Sequence, residues 1–291
     1  MRHHLARMFM RLSDCAAAPA MAAGSASATI SGFSVRLIDL DLTDGITPSI
    51  TFEPGRFFFE DDDEPIAGST SVNISDNFDF VNDFNFSPTF SPISSSASLA
   101  GANASAAISG DETLPGTTLS ASATTSDLVA GTLSRQVFSS GSSSLGSTFN
   151  LSDNTLAVFF IQASASLSGA GGSEQGPFGQ YFGDEGSAEA EISVSGPGAF
   201  DSERGFQESS DEFEFFSFNN GENVLPFDFS GTQELTATFL NISGSDLSGE
   251  LEFYASAFAA TSTAPVPEPS TYALLLAGLG AVGFVAGRRR S

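Results

Sequence analysis

Lysine and tryptophan are absent from the 291 residues, cysteine occurs once (Cys15) and histidine twice (His3 and His4). Each shortage excludes a class of chemistry. With its one cysteine near the N-terminus, the rest of the chain has no disulfide framework, no thiolate nucleophile and no cysteine-based zinc site. With both histidines in the first four residues, the remainder lacks Ser-His-Asp triads, imidazole metal clusters and the commonest general base. Basic residues are nearly as scarce. Residues 31–264 hold four arginines (Arg36, Arg56, Arg135 and Arg204) against 33 acids, and the formal net charge of the whole chain is -25. Nucleic acid and anionic membrane surfaces are recognised by clustered cations, so neither is an expected partner of this body. These absences point to a protein that is not an enzyme. A site built only of carboxylates, as in glycoside hydrolysis, stays formally open. Its candidate acids are Glu185, Glu189, Glu191 and the run Asp211-Glu212-Phe213-Glu214.

What is abundant is Ser, Thr, Gly, Ala and Phe, arranged with a period of two. Ser34-Val35-Arg36-Leu37 alternates, and Ile38-Asp39-Leu40-Asp41-Leu42 alternates in the opposite phase, which predicts a β-bulge at Leu37-Ile38. Residues 155–161 read as a buried strand and residues 188–194 as a surface strand ended by Gly196-Pro197-Gly198. Residues 234–240 and 250–255, on either side of a turn-rich Asn241–Gly249, read as a hairpin. The low-complexity stretch 91–147 reads as strands with small outward side chains. Runs of this spacing predict an all-β body over residues 29–263, an antiparallel β-sandwich or jelly roll. The 29 phenylalanines are expected to fill its core while Ser, Thr and acids face water.

Residues 1–28 read as a degenerate signal peptide: Arg2, Arg7 and Arg11 give a basic start, and Ala22-Ala23-Gly24 or Ala26-Ser27-Ala28 suits a small-residue cleavage site. Two acidic clusters invite a cation. Asp39, Asp41 and Asp44 precede the turn at Gly45 and are a candidate Ca²⁺ site, because that ion takes six to eight oxygen ligands; Asp-Gly turns between strands also occur without metal. Glu60-Asp61-Asp62-Asp63-Glu64 reads as a solvated loop.

The last 27 residues are the most specific. Pro265-Val266-Pro267-Glu268-Pro269-Ser270 is held extended by its prolines. An apolar run follows from Tyr272 to Gly287, then Arg288-Arg289-Arg290-Ser291. The run reads as one transmembrane helix over 271–287. Its apolar residues span about 24 Å at 1.5 Å per residue, short of a hydrocarbon core of about 30 Å. Arginines that directly follow an apolar span stay in the cytoplasm, so Arg288, Arg289 and Arg290 would anchor that end and the large domain would lie outside. Residues 264–291 resemble a PEP-CTERM sorting signal, a tail also catalogued as an ice-binding protein C-terminal domain.

That resemblance implies an exported bacterial envelope protein, held as a single-pass inner-membrane intermediate and then delivered to the cell surface or beyond. It implies an exosortase as partner, with Val266, Pro267, Glu268 and Pro269 as the recognised residues, and an association with exopolysaccharide. No cofactor is expected unless the aspartates hold Ca²⁺. The alternative is a calcium-dependent carbohydrate-binding module or an ice-binding one. Ice binding needs a regular threonine array, for which Thr236-Ala237-Thr238 is too short.

Overall fold

Alternation of small or apolar residues with Ser, Thr and acids produces strands with one face in and one face out. The computed structural model describes residues 24–55, 66–99, 101–126, 135–172, 174–175, 181–198, 205–218, 225–263 and 277–279. Among them the chain forms fourteen strands and one short 3₁₀ turn, Leu114–Gly116. The first seven strands are β1 (Ser25–Asp39), β2 (Ile50–Pro54), β3 (Gly68–Asp76), β4 (Phe80–Ser87), β5 (Ile93–Leu99), β6 (Ala102–Ser109) and β7 (Thr118–Thr125). The others are β8 (Arg135–Leu151), β9 (Thr155–Gly169), β10 (Glu174–Gln175), β11 (Tyr181–Pro197), β12 (Phe206–Ser217), β13 (Phe227–Asn241) and β14 (Leu247–Thr263). They build a six-stranded sheet, β13-β9-β1-β7-β6-β5, and an eight-stranded sheet, β10-β11-β14-β8-β3-β4, with β12 paired to β11 and β2 to β8. Every pairing is antiparallel, and the two sheets stack as a sandwich.

The sandwich has two unlike halves. One is filled by Phe33, Phe149, Phe159, Phe239 and Phe253, with Phe149 and Phe239 edge-to-face at 4.9 Å. The other is built largely of small side chains, with Val72, Ile74 and Val137 as its main larger ones on the eight-stranded sheet. Ala26, Ala28, Ala121 and Ala123 lie in its buried core with Ala255, Ala257 and Ala259. There the sheets come close enough for Ser139 Oγ on β8 to donate to the Asn103 carbonyl on β6 at 2.7 Å. Ser143 Oγ likewise donates to the Ser120 carbonyl at 3.2 Å. A core built mainly of phenylalanine is therefore not what forms. Phe80, Phe84, Phe86, Phe216 and Phe218 lie on the outside instead.

Three local expectations are corrected. The bulge lies earlier, between Ser31 and Ser34, where Gly32 and Phe33 stand opposite the single residue Ile161. Gly32 has φ +67°, the left-handed geometry that suits glycine at the first position of such a bulge. The inward phase then passes from Ile30 to Phe33. Ile38 is apolar because it lies beside Leu156 and Leu240 on the outer face. Residues 25–28, assigned to the leader, form the start of β1 and pair with both β7 and β9.

The third correction concerns 234–240 and 250–255, which do not form a hairpin. β13 belongs to the six-stranded sheet and β14 to the eight-stranded one. The fully buried Asn241 holds the arch between them. Its Nδ2 donates to the Leu151 and Ser245 carbonyls (2.9 and 2.8 Å), and its Oδ1 accepts from the Ser243 amide at 3.0 Å.

Both edges of the six-stranded sheet are closed by side chains from the other sheet. On β12, Gln207, Ser209 and Asp211 accept from the amides of Leu240, Thr238 and Thr236 at 3.0–3.1 Å. Gln207 Nε2 also donates to the Leu240 carbonyl at 2.8 Å, so this amide side chain imitates a strand residue. At the opposite edge Asp83 accepts from the Ser96 amide and Asn85 donates to the Ser94 carbonyl. Edge groups satisfied in this way are unavailable for pairing with another chain.

Candidate functional site

Asp39, Asp41 and Asp44 leave the end of β1 on an exposed turn, and each carboxylate turns to backbone near itself. Asp39 Oδ1 accepts from the Asp41 amide at 3.0 Å, and Asp44 Oδ1 from the Ile46 amide at 2.7 Å. Asp41 Oδ1 accepts from the Thr43 hydroxyl at 2.6 Å and its amide at 2.9 Å, bonds that hold the Asp41 carboxyl below the ordinary aspartate range. Asp44 Oδ2 accepts from Asn154 Nδ2 at 2.8 Å. The three side chains act as turn caps. Among the described residues no group of three or more His, Cys, Asp or Glu is placed to hold a metal ion. The Glu60–Glu64 run lies outside the described residues.

The other acids meet on the outer face of the eight-stranded sheet, a grouping that sequence distance hides. Glu189 stands directly opposite Glu214, and Glu191 opposite Glu212. Glu250 and Glu252 are contributed by β14, across from Ser195 and Ser193. Like charges in cross-strand register repel. Partial burial raises the Glu191 carboxyl above its ordinary range, helped by the charges of Glu189, Glu212 and Glu208. Glu252 is raised by burial first, then by Glu191 and Glu250.

An acid whose pKa is higher folded than unfolded destabilises the native state when charged. That penalty is fully present above the folded value and disappears as pH falls through it. Thermal stability is therefore expected to rise on mild acidification from neutral pH. Glu252→Gln should raise the melting temperature by about 2 °C at pH 7 and flatten this rise, as read by circular dichroism over a pH series.

These acids lie on an open strand surface. A groove of about 460 Å³ lies at the β12–β13 corner, lined by Leu156, Phe206, Gln207, Glu208, Ser209, Thr238 and Leu240, with Glu208 as its one carboxylate. Hydrolysis of a glycosidic bond uses two carboxyl groups flanking that bond.

Sequence reading also did not single out a buried acid. Asp184, at the start of β11, is 1 % exposed. Its Oδ2 accepts from the Ala170 amide at 2.7 Å and its Oδ1 from the Thr261 hydroxyl at 2.7 Å. Thr261 in turn bonds the Thr125 hydroxyl, and the Thr125 amide donates to the Gly24 carbonyl at 2.8 Å. The network joins the ends of β1, β7, β9, β11 and β14 where β14 leads towards the tail. No local motif surrounds Asp184; its place with Glu185 between Gly183 and Gly186 near the start of β11 is the only sequence signal.

Among the described residues no helix is long and apolar enough to cross a membrane. Of the tail only residues 277–279 are described, as helix. The motif Val266–Pro269 and the cluster Arg288–Arg290 lie outside the described residues. The family comparison identifies this region: residues 265–290 match the PEP-CTERM protein-sorting motif. That motif marks an exported protein of the cell envelope that is processed by an exosortase. No curated protein and no solved structure matches the chain.

Proposed function

We propose that the chain is a non-enzymatic envelope or extracellular-matrix protein whose sandwich is delivered by the tail and associates with exopolysaccharide. The carrying observation is the sorting motif at residues 265–290, joined to a body without histidine or cysteine. The tail is held briefly as a single membrane span with Arg288–Arg290 in the cytoplasm, and exosortase acts at or near Val266–Pro269. β1 begins at Ser25, so export would remove the leader before that residue: cleavage at Ala26-Ser27-Ala28 would cut the strand paired to β7 and β9. The closed edges suit a protein that stays dispersed outside the cell.

Cell fractionation tests the address. Replacing Pro267 and Pro269 together with alanine should shift the chain from the surface fraction to the inner membrane. Surface delivery equal to that of the natural chain would contradict the proposal.

A further inference from the structure

Resting on the reading of an exopolysaccharide-associated envelope protein, we infer that a band of aromatic rings across the outer face of the eight-stranded sheet is a docking platform for an extended polysaccharide bearing free amino groups. The band is assembled by strand register. Phe216 on β12 stands opposite Ser187 on β11, which stands opposite Phe258 on β14. The Phe258 ring stacks on Phe138 of β8 at 6.2 Å. Phe138 stands opposite Ser75 on β3, which stands opposite Phe80 on β4. Phe216 also stacks on Phe218 at 6.1 Å.

Phe216 and Phe80 are therefore each separated by one serine-bearing strand, about 10 Å at the usual spacing between strands, from the stacked Phe258–Phe138 pair at the centre of the band. Phe80 and Phe216, at the two ends of the band, are 62 % and 61 % exposed. Each forgoes the burial that a core position would provide, and exposed apolar surface gathered in this way marks an interaction site.

Charge selects the occupant. Glu185 and Glu189 flank Ser187 along β11, and Glu214 lies across from Glu189. Among the described residues, those that build this part of the face include no basic side chain. A second copy of the face would bring carboxylate against carboxylate, and a polyanionic glycan would meet the same repulsion. An extended glycan laid across the strands offers the apolar C–H faces of its sugar rings to the phenyl rings. The gap of about 10 Å on either side of the central pair approximates two sugar units. Amino groups along that glycan find Glu189, Glu214 and Glu185 at the margins of the band, as charge-assisted partners. Stacking sets the track and the carboxylates set the preference for amines.

The test is co-sedimentation of the full chain in mild detergent with insoluble polyglucosamine, its N-acetylated form, cellulose, alginate gel and polylysine beads. Retention on polyglucosamine is expected to exceed that on the N-acetylated polymer about tenfold, with none on alginate, and to fall only in part with added salt. Phe80→Ser combined with Phe216→Ser, both at exposed sites, should reduce retention about tenfold with the melting temperature nearly unchanged. Glu189→Gln with Glu214→Gln should remove the preference for amines while some retention persists. Equal capture by polylysine, retention indifferent to both ring changes, or absence of retention on polyglucosamine would each overturn the assignment. If the ring variant unfolds, the glutamate variant decides alone: an undiminished amine preference overturns the assignment. A chain delivered to the surface that fails to bind removes only this inference; an undelivered chain removes the sorting reading beneath it.

Discussion

Gly141→Val is expected to lower the melting temperature by about 6–12 °C. Position 141 lies mid-strand on the inner face of β8, where the two sheets approach closely. A Cβ built there would sit 2.7 Å from the Ser105 carbonyl oxygen and 3.0 Å from that of Ser122. Both are backbone atoms of the opposing sheet, paired in the β6–β7 ladder, and neither can rotate away. Separating the sheets would break the Ser139–Asn103 and Ser143–Ser120 hydrogen bonds and open gaps beside Ala104 and Ala106. Overpacking costs about 1–3 kcal/mol, and the upper end applies where backbone must move. About 3 kcal/mol corresponds to that temperature shift for a domain of this size. Thermal unfolding followed by circular dichroism reads it, and a melting temperature within 2 °C of the natural chain's would show that the small-residue half is loosely joined.

Asp184→Ala is expected to destabilise by about 2–3 kcal/mol. The substitution takes the acceptor from the part-buried Ala170 amide and leaves the buried Thr261 hydroxyl with Thr125 as its partner. A buried group left without its acceptor costs about 1–3 kcal/mol. Asp184→Asn keeps the shape and one acceptor oxygen, so its loss should be less than half as large. Denaturant unfolding of both variants checks the order, and equal losses would mean that shape rather than the acceptor matters. Because the network gathers five strand ends beside the origin of the tail, Asp184→Ala should also make the region near Thr263 more open to proteolysis.

Much of the fold was legible in the sequence. Alternation alone identified an all-β sandwich, and the low-complexity stretch proved to hold strands because alanine and serine at alternate positions suit a thin core. The arch between β13 and β14 was not legible. The inward residues Leu235, Ala237 and Phe239 and their counterparts Leu251, Phe253 and Ala255 alternate identically in a hairpin and in an arch; only the hydrogen bonds of Asn241 separate the two. The three aspartates illustrate the opposite error. Closeness in sequence suggested convergence, yet each short side chain reaches backbone two residues ahead before it can meet the others. The carboxylate face and the aromatic band were hidden for a third reason. Their members are separated by long stretches of chain and become neighbours only through register. The tail was legible because a sorting address is read as local sequence.

The central claim, that residues 265–290 deliver the sandwich to the cell exterior and are processed there, is tested most directly by intact mass and terminal sequencing of the chain recovered from the surface. The account predicts a C-terminus at or near Val266–Pro269, with the apolar run and Arg288–Arg290 gone, and an N-terminus no later than Ser25. A surface-exposed chain that still ends in Arg288-Arg289-Arg290-Ser291 would contradict it.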